Sequence, residues 1–314
     1  MRLHESEEDF ADLTEITARW VGIPAAAVKR DYYIVMMLQK LENSEYADKC
    51  VFKGGTSLSK CYPGSISRFS EDIDLTYIPR EDLSSKQYDR QLKKVETIMS
   101  EGFRLEKIPG ERNDRNKSSN IWFDDADPEN GKVKLEIGSS IRPDPYEEKT
   151  LRTYIHEYLA GKGMQAEIEE FALNDVSVNT LDITRTFLDK VMSVKRHAIC
   201  GDMVRKVRHI YDVTMLLEII DIQEFLTDTD TLKDLLIKTK ETDSFYLEKR
   251  GIPEEYNPVA AYDFPSWSDR FDNEVRKQYA KLHEDLLYTD KKQDFDKAMA
   301  VFERISRIFT AIGE

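Results

Sequence analysis

The segment from residue 52 to residue 75 constrains this chain most: it reads FKGGTSLSK at 52–60 and RFSEDIDL at 68–75. The pair Gly54-Gly55 lets the backbone turn tightly and present amides to an anion. Thr56 and Ser57 add hydroxyl donors, and Lys60 comes one turn later if a helix begins there. Read as a strand, the second half sets Arg68, Ser70, Asp72 and Asp74 on one face, with Phe69, Ile73 and Leu75 facing the other way. Two carboxylates two positions apart on one strand face can share a hard divalent cation. Mg2+ suits such oxygen donors and keeps waters and phosphate oxygens in its shell. An Asp-x-Asp pair by itself is common in acidic loops, and the glycine turn upstream is what gives this one its meaning.

A third carboxylate is available in KVKLEIG, residues 132–138. Val133, Leu135 and Ile137 alternate with Lys134 and Glu136, so Glu136 projects from the same side as Lys134. If this strand neighbours Asp72 and Asp74, the three carboxylates form a site where two metals activate a hydroxyl and stabilise departing pyrophosphate. The alternative is an ordinary solvent-facing position.

The rest of the chain reads as a mixed half followed by a helical one. Spacing predicts helices over 8–20, 25–42 and 86–101, and strands over Arg104–Ile108, Asn120–Asp124 and Lys132–Gly138. Beyond about residue 180 the period stays helical. Helices are expected at 183–199 and 203–220, with Gly201-Asp202 supplying a break and an N-cap. A Pro- and aromatic-rich connection at 245–268 leads to two terminal helices, 270–288 and 292–312. The 314 residues suit two domains. The boundary falls within 150–180 and is set at 175: an α/β domain with N-terminal helices over 1–175, and a helical domain over 176–314.

Charge narrows the partners. The chain carries −14 overall, which repels nucleic acid at long range and excludes non-specific coating of DNA. Between Arg185 and His209, however, seven Lys and Arg face only Asp189 and Asp202. A cationic island in an acidic chain suggests a phosphate ligand; the alternative is a solvated helical face. On the expected helix 203–220, Arg205, Arg208, His209 and Asp212 share a stripe, with Lys190 on the helix before. Cations beside a triphosphate offset charge on its leaving group. An Arg208–Asp212 surface pair would instead be worth only ~0.3–0.5 kcal/mol. Cys50, Cys61 and Cys200 show neither disulfide nor zinc spacing. No apolar run reaches membrane-spanning length and MRLHESEEDF lacks a signal-peptide core, so a cytoplasmic protein is expected. No GxxxxGK[ST] loop is present.

FKGGTSLSK and RFSEDIDL, followed in order by KLEI (134–137), FLDKVMSVKR (187–196) and RHIYDVTML (208–216), resemble the AbiEii/AbiGii-type nucleotidyltransferase toxins. That family includes the MenT-type tRNA-modifying toxins and lies within the polymerase-β-like nucleotidyltransferases. The resemblance covers roughly residues 28–220. It implies an α+β fold: a polymerase-β-like core with a mixed sheet, followed by an all-helical C-terminal lobe. Gly55 and Ser57, with Gly54, Thr56 and Lys60 around them, match the turn that holds nucleotide phosphates. Asp72 and Asp74 match the metal pair, Lys190 the lysine that contacts the triphosphate, and Asp212 the last-motif aspartate with Arg208 beside it. The implied activity moves NMP from an NTP to an acceptor hydroxyl with Mg2+ or Mn2+. The implied acceptor is the tRNA 3′ end, the consequence growth arrest, and the partner an antitoxin encoded nearby. A protein side chain as acceptor, or an NTP-binding module without turnover, are the alternatives.

Overall fold

The structure, a computed structural model, describes residues 1–79, 83–139, 142–248, 251–285, 287 and 293–313. The chain forms two compact units. One comprises Met1–Tyr62 and Phe69–Leu181; the other comprises Pro63–Arg68 and Asp182–Glu314.

The first unit is built on a seven-stranded sheet: β1 (Cys50–Lys53), β2 (Asp72–Tyr77), β3 (Arg104–Lys107), β4 (Asn116–Trp122), β5 (Lys132–Gly138), β6 (Tyr146–Leu151) and β7 (Val176–Leu181). Their order is β3-β4-β5-β2-β1-β7-β6. The sheet is mixed, as expected: β1 runs antiparallel to β2, whereas β2–β5 and β1–β7 are parallel. Its helices are α1 (Glu7–Val21), α2 (Ala25–Glu42), α3 (Gly54–Cys61), α4 (Ser85–Met99), α5 (Tyr154–Gly161) and α6 (Gln165–Glu170). Helix α2 has the expected bounds and buries most of its surface, including Val28, Tyr32, Val35 and Leu38. Helix α4 starts where Gln87 Oε1 accepts the Ser84 backbone N–H at 2.9 Å, a cap that meets an otherwise orphaned donor.

Several expectations are corrected. The strand at 68–75 begins only at Asp72, so Arg68 and Ser70 are not on it, and Arg68 belongs to the other unit. Strand β4 starts four residues earlier than expected because Lys117, Ser118 and Ser119 are buried though polar. Glu96 on α4 bonds both Ser119 and Arg112 and satisfies that polar patch from inside. Strands β6 and β7 are not foreseen. The solvent-facing YEEKTL of β6 carries no alternation at all.

The second unit is helical: α7 (Ile183–Cys200), α8 (Val207–Leu216), α9 (Ile220–Phe225), α10 (Thr229–Asp243), α11 (Asn273–Asp285) and α12 (Phe295–Ala311). Gly201 ends α7 at φ 79°. Asp202 does not cap the next turn with its side chain; its carboxylate bonds His197 Nδ1 at 2.7 Å. The expected helix 203–220 is divided into a 3-10 turn at Met203–Lys206, α8 and the start of α9, so Arg205 is not on the helix of Asp212. Within the Pro- and aromatic-rich connection, Tyr256, Tyr262, Phe264 and Trp267 are core residues, with Phe264 and Trp267 edge-to-face at 4.9 Å. The expected end of one terminal helix at 288 and the expected start of the other at 292 lie outside the described residues.

Candidate active site

The first site is assembled by β1, α3 and β2. Strand β1 delivers Lys53 to Gly54, whose φ of 89° a residue with a side chain adopts only under strain. Helix α3 begins at once, so its first amides lie at the glycine pair and lack intrahelical partners. A Cβ on Gly54 would lie 3.2 Å from Asp74 Cγ and would overlap Oδ2. The absent side chain is thus what lets the Asp74 carboxylate reach the start of the helix.

The hydroxyls of the motif face inward. Thr56 Oγ1 donates to the Asp72 carbonyl at 2.5 Å and lies 3.0 Å from Ser70 Oγ. Ser57, fully buried, donates to the Gly54 carbonyl at 3.0 Å. Both therefore brace the loop and the start of β2. The outer surface is left to the backbone of half-buried Gly54 and Gly55.

Asp72 and Asp74 are half-buried on one face of β2, with Ile73 and Leu75 buried behind them. Strand β5 is the parallel neighbour of β2 and pairs Asp74 with Glu136 and Asp72 with Lys134. The adjacency on which the third-carboxylate expectation depends is thus present. Glu136 is ion-paired to Lys134 at 2.5 Å, and among the described residues no group of three His, Cys, Asp or Glu is placed to hold a metal. The all-oxygen donor pair of Asp72 and Asp74 fits a hard divalent cation that takes its other ligands from water and phosphate.

Lys60 is not at the mouth of the site. It is buried and forms a 2.7 Å ion pair with Asp31 of α2, with its ammonium 3.9 Å from the Tyr154 ring centroid. Burial alone would lower the Lys60 pKa, but attraction to Asp31, Tyr154 and Glu157 outweighs it and raises it. The neighbouring Arg30, also buried, is ion-paired to Glu71, directly before Asp72. Two adjacent charges on α2 therefore hold the end of α3 and the approach to β2.

In the helical unit, Asp212 is fully buried rather than on a surface stripe. Arg68 grips it with two bonds, Nε to Oδ1 at 2.6 Å and Nη2 to Oδ2 at 2.7 Å, and Lys190 Nζ adds a third at 2.7 Å. Burial pushes the Asp212 pKa up, but the two cations overcome this and hold it well below the usual carboxylate range. His209 is driven well below its ordinary value, first by burial and then by Lys190, and carries no charge at neutral pH.

Most of the cationic island is likewise consumed internally. Arg185 bonds Asp189 and Thr242, Arg196 bonds Asp243, and Lys195 bonds the carbonyls of Asn257, Ala260 and Ala261. Arg205 and Lys206 are exposed and Arg208 is half-buried, so these three are what remains of the island at the surface.

Lys53, Arg30 and Asp31 are absent from the residues that motif spacing singles out. For Lys53 the available signal was its place at the end of β1, which sets it opposite Asp74 in the antiparallel ladder. For Arg30-Asp31 the signal was a charged pair inside an otherwise apolar helix.

The sequence profile described as nucleotidyl transferase AbiEii toxin, type IV TA system, matches residues 36–301. No curated protein sequence matches. Among solved structures, MenT4, nucleotidyltransferase toxin Rv2826c from Mycobacterium tuberculosis H37Rv, is similar at 19% identity and a TM-score of 0.48, over 96% of this chain and 98% of that one. With the profile spanning most of its length, and the glycine turn and aspartate pair within that span, this chain belongs to the AbiEii family of nucleotidyltransferase toxins of type IV toxin–antitoxin systems.

Proposed function

We propose that the β1–α3–β2 site transfers a nucleoside monophosphate from an NTP to the 3′-terminal hydroxyl of tRNA. The observation that carries this reading is the Asp74 carboxylate seated against Gly54 at the first turn of α3. Negative phosphate oxygens meet the first-turn amides of α3 there, with Lys53 opposite Asp74 in the β1–β2 ladder as the nearest cation of β1. One carboxylate of the Asp72–Asp74 pair accepts the proton of the attacking hydroxyl. The new bond joins that oxygen to the α-phosphorus, and the bond to the β-phosphate oxygen breaks and releases pyrophosphate. Mg2+ or Mn2+, when held by Asp72 and Asp74, neutralises phosphate charge. Thr56 and Ser57 position the loop. Lys190 and Asp212 are positioning residues of the helical unit, and Arg208 is a surface cation of that unit. A capped tRNA 3′ end blocks aminoacylation and arrests growth in the cytoplasm until the antitoxin acts.

The test incubates the protein with total tRNA, Mg2+ and each NTP labelled on its α-phosphate, beside Asp72→Ala/Asp74→Ala. Label on RNA that the variant fails to make is the expected result. Label on protein would transfer the reading to a side-chain acceptor. NTP binding with no label and no pyrophosphate would leave a binding module without turnover.

A further inference from the structure

Helix α4 bears a second cationic feature, one that the sequence-wide charge conceals. A groove of about 520 Å3 in the first unit is lined by Tyr46, Lys86, Asp89, Arg90, Lys93 and Lys94. The four cations recur at i, i+4, i+7 and i+8 on α4, so they share one face, and all four are exposed. The acids at this groove are already matched. Asp89 bonds Lys93 at 2.7 Å and Lys117 at 2.9 Å, and those hydrogen bonds hold its carboxyl down at about 2. Glu45, at the rim, lies 3.8 Å from Lys49. Lys86, Arg90 and Lys94 have no ion-pair partner among the described residues, and among those residues the groove therefore holds three positive charges beyond its acids, on a chain of −14.

We infer that this groove binds the phosphate backbone of the acceptor RNA, at a point remote from the site of transfer; the inference rests on the RNA reading proposed above. Two observations favour a long polyanion over other occupants. Successive cations Lys86, Arg90 and Lys94 step along α4 by about 6 Å, a spacing that suits consecutive phosphates of one strand. The floor residue Tyr46 meets Tyr77, the last residue of β2, with ring centroids 6.3 Å apart, whereas Asp72 is the first residue of that strand. Five residues of strand separate them by about 17 Å. An NTP at Asp72 and Asp74 does not span that distance as well as filling the groove, and a side-chain acceptor has no use for three cations there. A nucleic-acid acceptor spans both. Arg115, directly before β4, lies with its guanidinium 3.7 Å from the ring centroid of Tyr88 on α4 and adds a planar cation beside that helix.

The test measures binding of a fluorescein-labelled tRNA transcript by anisotropy, without NTP, from 50 to 200 mM KCl. Wild type is compared with Lys86→Ala/Arg90→Ala/Lys94→Ala and with Lys86→Arg/Lys94→Arg, which keeps the charge. Each phosphate contact contributes roughly 0.7–0.9 to the slope of log K against log salt. The alanine variant is therefore expected to lose about 2–3 from that slope and at least tenfold in affinity at low salt, while the arginine variant retains both. Affinity for a fluorescent NTP analogue and a thermal melt report whether the alanine variant is folded. An alanine variant that is folded and binds the transcript with the wild-type slope would overturn the inference. So would wild-type protein that ignores the transcript but binds phosphatidylserine vesicles or a poly-glutamate peptide through these residues. Groove-dependent binding without any label transfer would sink the proposed activity and leave the groove standing. Transfer to tRNA with an unchanged KM in the alanine variant would do the reverse.

Discussion

The Asp74 carboxylate rests on Gly54, in space that any side chain at that position would occupy. The glycine turn and the aspartate pair, twenty residues apart in the chain, are one device. The turn supplies amides, and the missing Cβ leaves the acid room beside it.

Gly54→Ala is accordingly expected to abolish transfer rather than merely weaken the fold. The added methyl displaces the Asp74 carboxylate, and a misplacement of about 1 Å at a reacting centre costs on the order of 100-fold in rate. The positive φ adds about 1–2 kcal/mol of destabilisation. Activity measured beside urea denaturation separates the two. Near-normal transfer with reduced stability would show that Asp74 does not need this seat.

Asp31 and Lys60 make a different prediction, because they are buried and paired within the first unit. Lys60→Met leaves a carboxylate without its cation inside the protein and is expected to cost about 3–5 kcal/mol. Asp31→Asn/Lys60→Met should recover most of that loss, since the uncompensated charge is then gone. A double variant as unstable as the single one would mean that Lys60 acts through its packing over Tyr154.

Acid should destabilise the helical unit through Asp212. Arg68 and Lys190 hold its carboxyl below the unfolded value, so the native state releases this proton more readily than the unfolded chain does. The stabilisation is complete above the ordinary carboxylate range. It is expected to decline as pH falls below about 4 and to keep declining toward the depressed native value. Melting temperatures from pH 7 to pH 2.5 should show this decline in wild type. In Asp212→Asn, stability should be lower at pH 7 and the acid limb flatter. Parallel acid limbs in the two proteins would assign the loss to other carboxylates.

What could be read in the sequence was whatever repeats locally. Strand β5 alternates strictly, with Val133, Leu135 and Ile137 buried, and helix α2 has the bounds its apolar spacing predicts. Asp72 and Asp74 share a face because a strand's period is two, and no partner is needed to establish that. Strands β6 and β7, by contrast, depend on each other and on β1 for their definition.

Charge divided in the same way. In the sequence the island from Arg185 to His209 looks like a ligand surface. Folding reverses that impression. Asp212 draws in Arg68 across 144 residues and Lys190 across 22, while Asp243 takes Arg196. Lys86, Arg90 and Lys94 meet no acid among the described residues and stay in solvent. Spacing along the chain is a property of backbone geometry and survives in the bare sequence. Whether a cation is buried and neutralised depends on which distant carboxylate the fold brings within 3 Å of it, and only the tertiary structure decides that.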